Sequence, residues 1–125
     1  HSHHRNNQQN DTLSTCLHPL AKCQAEACYV IAKMYHCAQD YDAAIKWYYK
    51  SVVLSPYFSL SLFGLAQMYI NCNKLDHAKV CLERVLKIDD DGHKEHDSHV
   101  LSHYAFVCRR LGDIQIAKEK LEKAC

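Results

Sequence analysis

Apolar residues recur along this chain at helical spacing, in runs separated by short polar breaks. Cys28, Ile31, Ala32 and Tyr35 fall three or four apart and form one face of a helix. After the break at Gln39–Asp40, Tyr41, Ala44, Tyr48 and Ser51 do the same. The spacing predicts helices over 20–38 and 41–54, 59–72 and 75–88, and 95–110 and 113–124, with no strand.

The pattern is also self-similar. Residues 25–58 and 59–92 align as two 34-residue copies without a gap, and a third, shortened copy covers 98–125 after a spacer at 93–97. The fourth position reads Cys28, Leu62, Leu101; the seventh Ile31, Leu65, Tyr104; the eighth Ala32, Ala66, Ala105; the eleventh Tyr35, Tyr69, Cys108. In the second half of each copy the slots read Tyr41, Leu75, Ile114, then Ala44, Ala78, Ala117, then Tyr48, Leu82, Leu121, then Ser51, Val85, Ala124. Each copy is therefore expected to be an antiparallel helix pair, with alanines where the two helices cross. Asp40 and Asp113 precede the second helices, where a carboxylate caps free N–H groups. Gly112 suits the left-handed stop between helices; Asn73 and Gln39 fill that slot less well.

Outside the copies the pattern weakens. Residues 1–11 are polar and expected to be disordered, with a tag-like run of histidines, and 12–24 are a helical lead-in. Pro19 fits the first turn of the helix that follows. The third copy ends in its second helix without a polar capping helix, so the chain is expected to be a piece of a longer array.

Composition narrows the function classes. With 48% hydrophobic and 23% charged residues the chain can build a core. A net charge of +1 argues against a general nucleic-acid surface. Only 3 Gly leave no glycine-rich phosphate loop. No apolar run approaches the roughly 18 residues of a membrane-spanning helix, so no membrane contact is expected. The 8 cysteines include no C-x-x-C pair; they read as free thiols, several of them small core residues, which favours cytosol or nucleus.

No hydrolase or metalloprotease motif is present, and no catalytic residue or cofactor is expected. His96, His99 and His103 share one helix face, with Asp97 nearby. Two readings stand: a divalent-metal site, or a solvated polar face. The lack of an evident fourth ligand favours the second.

The three-copy pattern resembles the tetratricopeptide repeat (TPR) over residues 25–125, with Ala at the eighth slot where that family has Gly and no Trp at the fourth. The resemblance implies an all-α, right-handed solenoid of three helix-turn-helix repeats whose first helices line a concave groove. By alignment it assigns to that groove Glu26, Tyr29, Lys33, His36 and Cys37, then Leu60, Phe63, Gln67, Ile70 and Asn71, then His99, Ser102, Phe106, Arg109 and Arg110. Leu60, Phe63, Ile70 and Phe106 are large apolar residues on slots the core is not expected to claim, and Lys33, Arg109 and Arg110 surround them with positive charge. Two readings stand: a groove for a peptide with hydrophobic anchors and some acid, or packing against a neighbouring repeat. Slots that in chaperone-binding repeats clamp a carboxylate hold Tyr29, Lys33, Gly64, Phe106 and Arg110, of which only Arg110 suits that task.

Three strings add detail: Gln24–Tyr29 (QAEACY), Asp40–Ser51 (DYDAAIKWYYKS) and Leu62–Ile70 (LFGLAQMYI). Over 24–88 they resemble the long TPR subunit of the RNA polymerase II-associated factor (Paf) complex. That resemblance implies a non-catalytic nuclear scaffold in transcription elongation and coupled histone modification, with other complex subunits as partners. The alternative is a cytoplasmic adaptor that holds a short peptide in its groove.

Overall fold

The computed structural model describes residues 2–91 and 97–124, with side chains for 19–91 and 97–123. The spacer's residues 93–96, His96 among them, lie outside the described residues. Five helices follow in order: α1 (Ser2–Cys37), α2 (Tyr41–Leu54), α3 (Ser59–Asn71), α4 (Leu75–Asp91) and α5 (Ser98–Ala124). No strand occurs among the described residues. α1 pairs with α2 and α3 with α4; α3 stacks on the first pair and α5 on the second.

Two equivalent turns close the hairpins. Gln39 and Asn73 adopt left-handed backbone, with φ of 61° and 60°. In the first, Asp40 N–H donates to Tyr35 O at 3.0 Å and Gln39 N–H to His36 O at 3.0 Å. In the second, Lys74 N–H donates to Tyr69 O at 2.7 Å and Asn73 N–H to Ile70 O at 3.0 Å. This double bond satisfies carbonyls that a helix end would leave orphaned. It forms without glycine at either turn. Asp40 then caps α2, its carboxylate accepting from Ala43 N–H at 3.3 Å.

The core lies between the hairpin helices. Ala32, Ala44, Ala66 and Ala78 are fully buried, as the crossing slots require. Around them pack Tyr48, Leu62, Leu65, Met68, Leu82 and Val85. One polar chain crosses this core: Ser51 Oγ donates to Ala25 O at 2.7 Å and lies 2.6 Å from Ser61 Oγ. With its proton committed to the carbonyl, Ser51 accepts from Ser61. Buried hydroxyls are costly unless paired, and here both are.

Two expectations fail. α5 runs straight through Gly112–Asp113, so the third hairpin does not form. Ala117 is exposed rather than buried at a crossing, and Leu121 is 68% exposed. A single glycine costs a helix interior only about 1 kcal/mol, so it permits a break without compelling one. At the other end, α1 begins at Ser2 and passes through Pro19, where disorder and then a helix start were expected. Residues 5–10 hold no Gly or Pro, and extending an existing helix costs little per residue.

Candidate functional site

The groove slots lie on α1, α3 and α5. α1 contacts α3 and α3 contacts α5, so the three helices line up side by side. Across this face the structure sorts the expected residues into two kinds. Lys33, Leu60, His99, Phe106, Arg109 and Arg110 are exposed. Tyr29, His36, Phe63, Gln67 and Ile70 are half-buried. Phe63 and Ile70 pack against the core, which corrects the expectation that core packing leaves them free. Their slots face the neighbouring helix as well as the groove.

At the α1 end the half-buried residues belong to an aromatic cluster. Tyr29 meets Phe58 edge-on at 5.6 Å and Tyr48 at 6.0 Å between ring centroids. The Tyr48 hydroxyl lies 2.9 Å from His36 Nδ1. Burial, and then the nearby Lys33 charge, hold the His36 imidazole below the usual histidine range. Burial, helped by Tyr29 and Cys37, pushes the Tyr48 phenol up to about 12. A neutral imidazole therefore accepts from a phenol that keeps its proton. Tyr48 fits because Gly64 has no side chain: a Cβ there would lie 2.5 Å from Tyr48 Cζ.

At the α5 end, Leu60 and Phe63 line a concavity of about 430 Å³ with Ser59, Val85, Asp89, Asp97 and Val100. Phe63 stacks edge-on against His103 at 5.1 Å. This hollow carries acidic residues where sequence expected a basic rim alone. The cations stand apart from it: Lys33 on α1, Arg109 and Arg110 far along α5, with α3 between. The face is thus an apolar strip with acid beside the Leu60 end and base beside Phe106.

The histidine face does other work. Asp97 caps α5, accepting from His99 N–H at 2.7 Å. His103 Nδ1 donates to His99 O at 2.6 Å. Among the described residues no group of three His, Cys, Asp or Glu side chains could hold a metal. Nor is any described helix long and apolar enough to cross a membrane. Six cysteines are described and all are free, but only Cys81 is buried, which corrects their reading as core residues. Burial pushes its thiol up to about 11, partly opposed by Arg84.

Sequence reasoning missed Phe58, Asp89 and the reach of Tyr48 across to His36. Gly64 carried a signal, because a glycine inside a helix is costly unless something needs the space. A second concavity of about 680 Å³ lies on the first hairpin, between Cys28 and the α2 residues Ile45, Tyr49, Val53 and Leu54, with Lys46 and Lys50 also lining it. A family model described as a tetratricopeptide repeat matches residues 25–58 and 60–91, the two closed hairpins.

Proposed function

The chain belongs to the tetratricopeptide repeat family, and from that premise we propose that it is a non-catalytic scaffold that binds a protein partner along the α1–α3–α5 face. The observation that carries this is exposed apolar surface on helices whose cores are already full. Leu60 is 55% and Phe106 48% exposed, each on a groove slot and each flanked by charge. Apolar side chains so placed mark contact with a partner. Acid beside Leu60 and base beside Phe106 would fix the direction of an extended segment of opposite polarity.

The finer reading is a segment of the long TPR subunit of the Paf complex, acting in the nucleus in RNA polymerase II elongation and coupled histone modification. Its support is the likeness of the strings at 24–29, 40–51 and 62–70. Gly64 and Tyr48, which lie in those strings, depend on each other sterically. The test is capture from nuclear extract by the full chain, probed for elongation-complex subunits. Leu60→Ala with Phe106→Ala is expected to weaken capture, by about 1.5–3 kcal/mol for each side chain that a partner buries fully. Arg109→Glu with Arg110→Glu is expected chiefly to slow association. Capture of those subunits at wild-type levels by all four substitutions together would remove the groove as the working surface. Capture of cytosolic proteins and no elongation subunit would favour the adaptor reading.

A further inference from the structure

Between the first turns of α3 and α5, two carboxylates from different elements meet one apolar hollow. Leu60 and Phe63 of α3, Val85 of α4 and Val100 of α5 supply the apolar lining, and Asp89 of α4 and Asp97, just before α5, supply the acid. Its volume of about 430 Å³ lies near the small end of ligand-binding hollows. Asp89 is only 9% exposed, whereas Asp97 and Leu60 are open to solvent. No lysine or arginine is among the described residues that line the hollow.

Such a lining selects its occupant. Two carboxylates repel an anion. A divalent cation needs several oxygen ligands, and among the described residues no group of three metal-ligating side chains is assembled. What fits is a cation carried on an apolar stem. Lysine and arginine both qualify, and arginine fits better. Its planar guanidinium holds its donors in a fixed fork, so one group can reach carboxylates on two sides, and it is more weakly hydrated than an ammonium. Phe63 adds an aromatic ring on which a guanidinium can stack. Neither carboxylate has to be empty. An ionised carboxylate offers about four lone-pair sites, and Asp97 gives one of its own to His99 N–H at 2.7 Å.

We propose that this hollow seats the arginine side chain of a partner segment lying along the α1–α3–α5 face. The inference rests on the reading of that face as a partner surface and adds what the partner must carry. Leu60, exposed beside the hollow, suits an apolar residue next to the arginine. From Val100 to Arg109 and Arg110 the α5 axis advances about 15 Å, at about 1.5 Å per residue. An extended segment covers that distance in about four or five residues. The partner segment therefore carries an arginine and, about four or five residues from it, an acid for Arg109 and Arg110.

The experiment is an amide NMR titration of the full chain with acetyl-leucyl-arginyl-leucine amide. The comparison peptides carry citrulline, the uncharged analogue, or lysine in place of the arginine. Saturable shifts are expected at the amides of Ser59–Phe63 and Asp97–Val100, with the citrulline peptide about tenfold weaker or more and the lysine peptide in between. Asp97→Asn should weaken the arginine peptide about tenfold with helicity unchanged, because asparagine keeps the α5 cap and removes the charge. Asp89→Asn should act in the same direction. Lys94, in the connection before α5, is the chain's own competing cation, and Lys94→Gln should leave binding unchanged. No saturation, equal binding of the citrulline peptide, lysine binding as tightly as arginine, or no loss in Asp97→Asn would each overturn the proposal. So would tighter binding by Lys94→Gln, which would give the seat to the chain itself. These outcomes are read without any partner protein, whereas capture turns on Leu60, Phe106 and the α5 arginines, so the two failures are distinct.

Discussion

The second hairpin and α5 begin from the same slot pattern and end differently. Leu75, Ala78 and Leu82 fold back on α3 and are buried; Ile114, Ala117 and Leu121 occupy the matching slots and stay exposed. The local turn signal is stronger in the copy that does not close, since Gly112 is the better stop and Asn73 the poorer one. Asn73 nonetheless takes the left-handed conformation and Gly112 stays helical. Slot patterns therefore say which faces are apolar. Whether a helix breaks depends on what the returning half can bury, and a single turn residue carries too little energy to decide it.

The largest expected effect lies in the part that closes. Gly64→Val puts branched carbon where the Tyr48 ring sits, in a core with no slack, and should cost about 3 kcal/mol in denaturant unfolding. An unchanged midpoint would mean that the two repeats are stacked less closely than described. Next comes a matched pair. Ala78→Leu should overpack the α3–α4 crossing and cost about 1–3 kcal/mol. Ala117→Leu, on the straight part of α5, should change stability by no more than about 0.5 kcal/mol. Equal costs at both positions would show that the third hairpin does close.

A smaller effect sharpens the same point with opposite sign. Gly112 is helical and a Cβ there meets nothing within 4 Å. Gly112→Ala should therefore stabilise the chain, by about 1 kcal/mol, where a left-handed turn would instead be destabilised. A thermal melt distinguishes the two. Smallest is a pH effect within the closed part. His36 is held below its ordinary value when folded, so the unfolded chain takes up its proton first. The stabilising contribution is complete above about pH 6.5 and declines as pH falls below it. Unfolding followed between pH 7.5 and 5 should show that decline in the wild type and a shallower one in His36→Gln.

The closed hairpins were legible because their signals agree at several levels. Apolar period, buried alanines and the Asp40 cap all point to one register, and α2 has the boundaries its spacing predicts. The straight α5 was not legible, because its halves repeat the same apolar slots and only tertiary burial tells a bent helix from a straight one. Of the site, the exposure of Leu60 and Phe106 follows from their slots. The half-burial of Phe63 does not, because it depends on how near His103 comes on another helix. The acidic residues beside Leu60 were hidden for a similar reason. Asp89 on α4 and Asp97 at the start of α5 come to one hollow only through the packing of those helices, which no local pattern encodes.

The serine chain has a consequence for how the molecule comes apart. Ala25, Ser51 and Ser61 sit on three successive helices; the bond from Ser51 to Ala25 closes the first repeat, and the bond between Ser61 and Ser51 ties it to the second. Opening the first repeat alone would strand the Ser61 hydroxyl in an apolar interior, and opening the second alone would remove the donor to Ser51. In a linear array, such an interface term binds neighbours into one cooperative block. Amides of α2 and α3 should then exchange with solvent at a common rate, set by a single opening event. Those of α5 beyond Leu111, whose described side chains are all exposed, should exchange by fraying, one turn at a time.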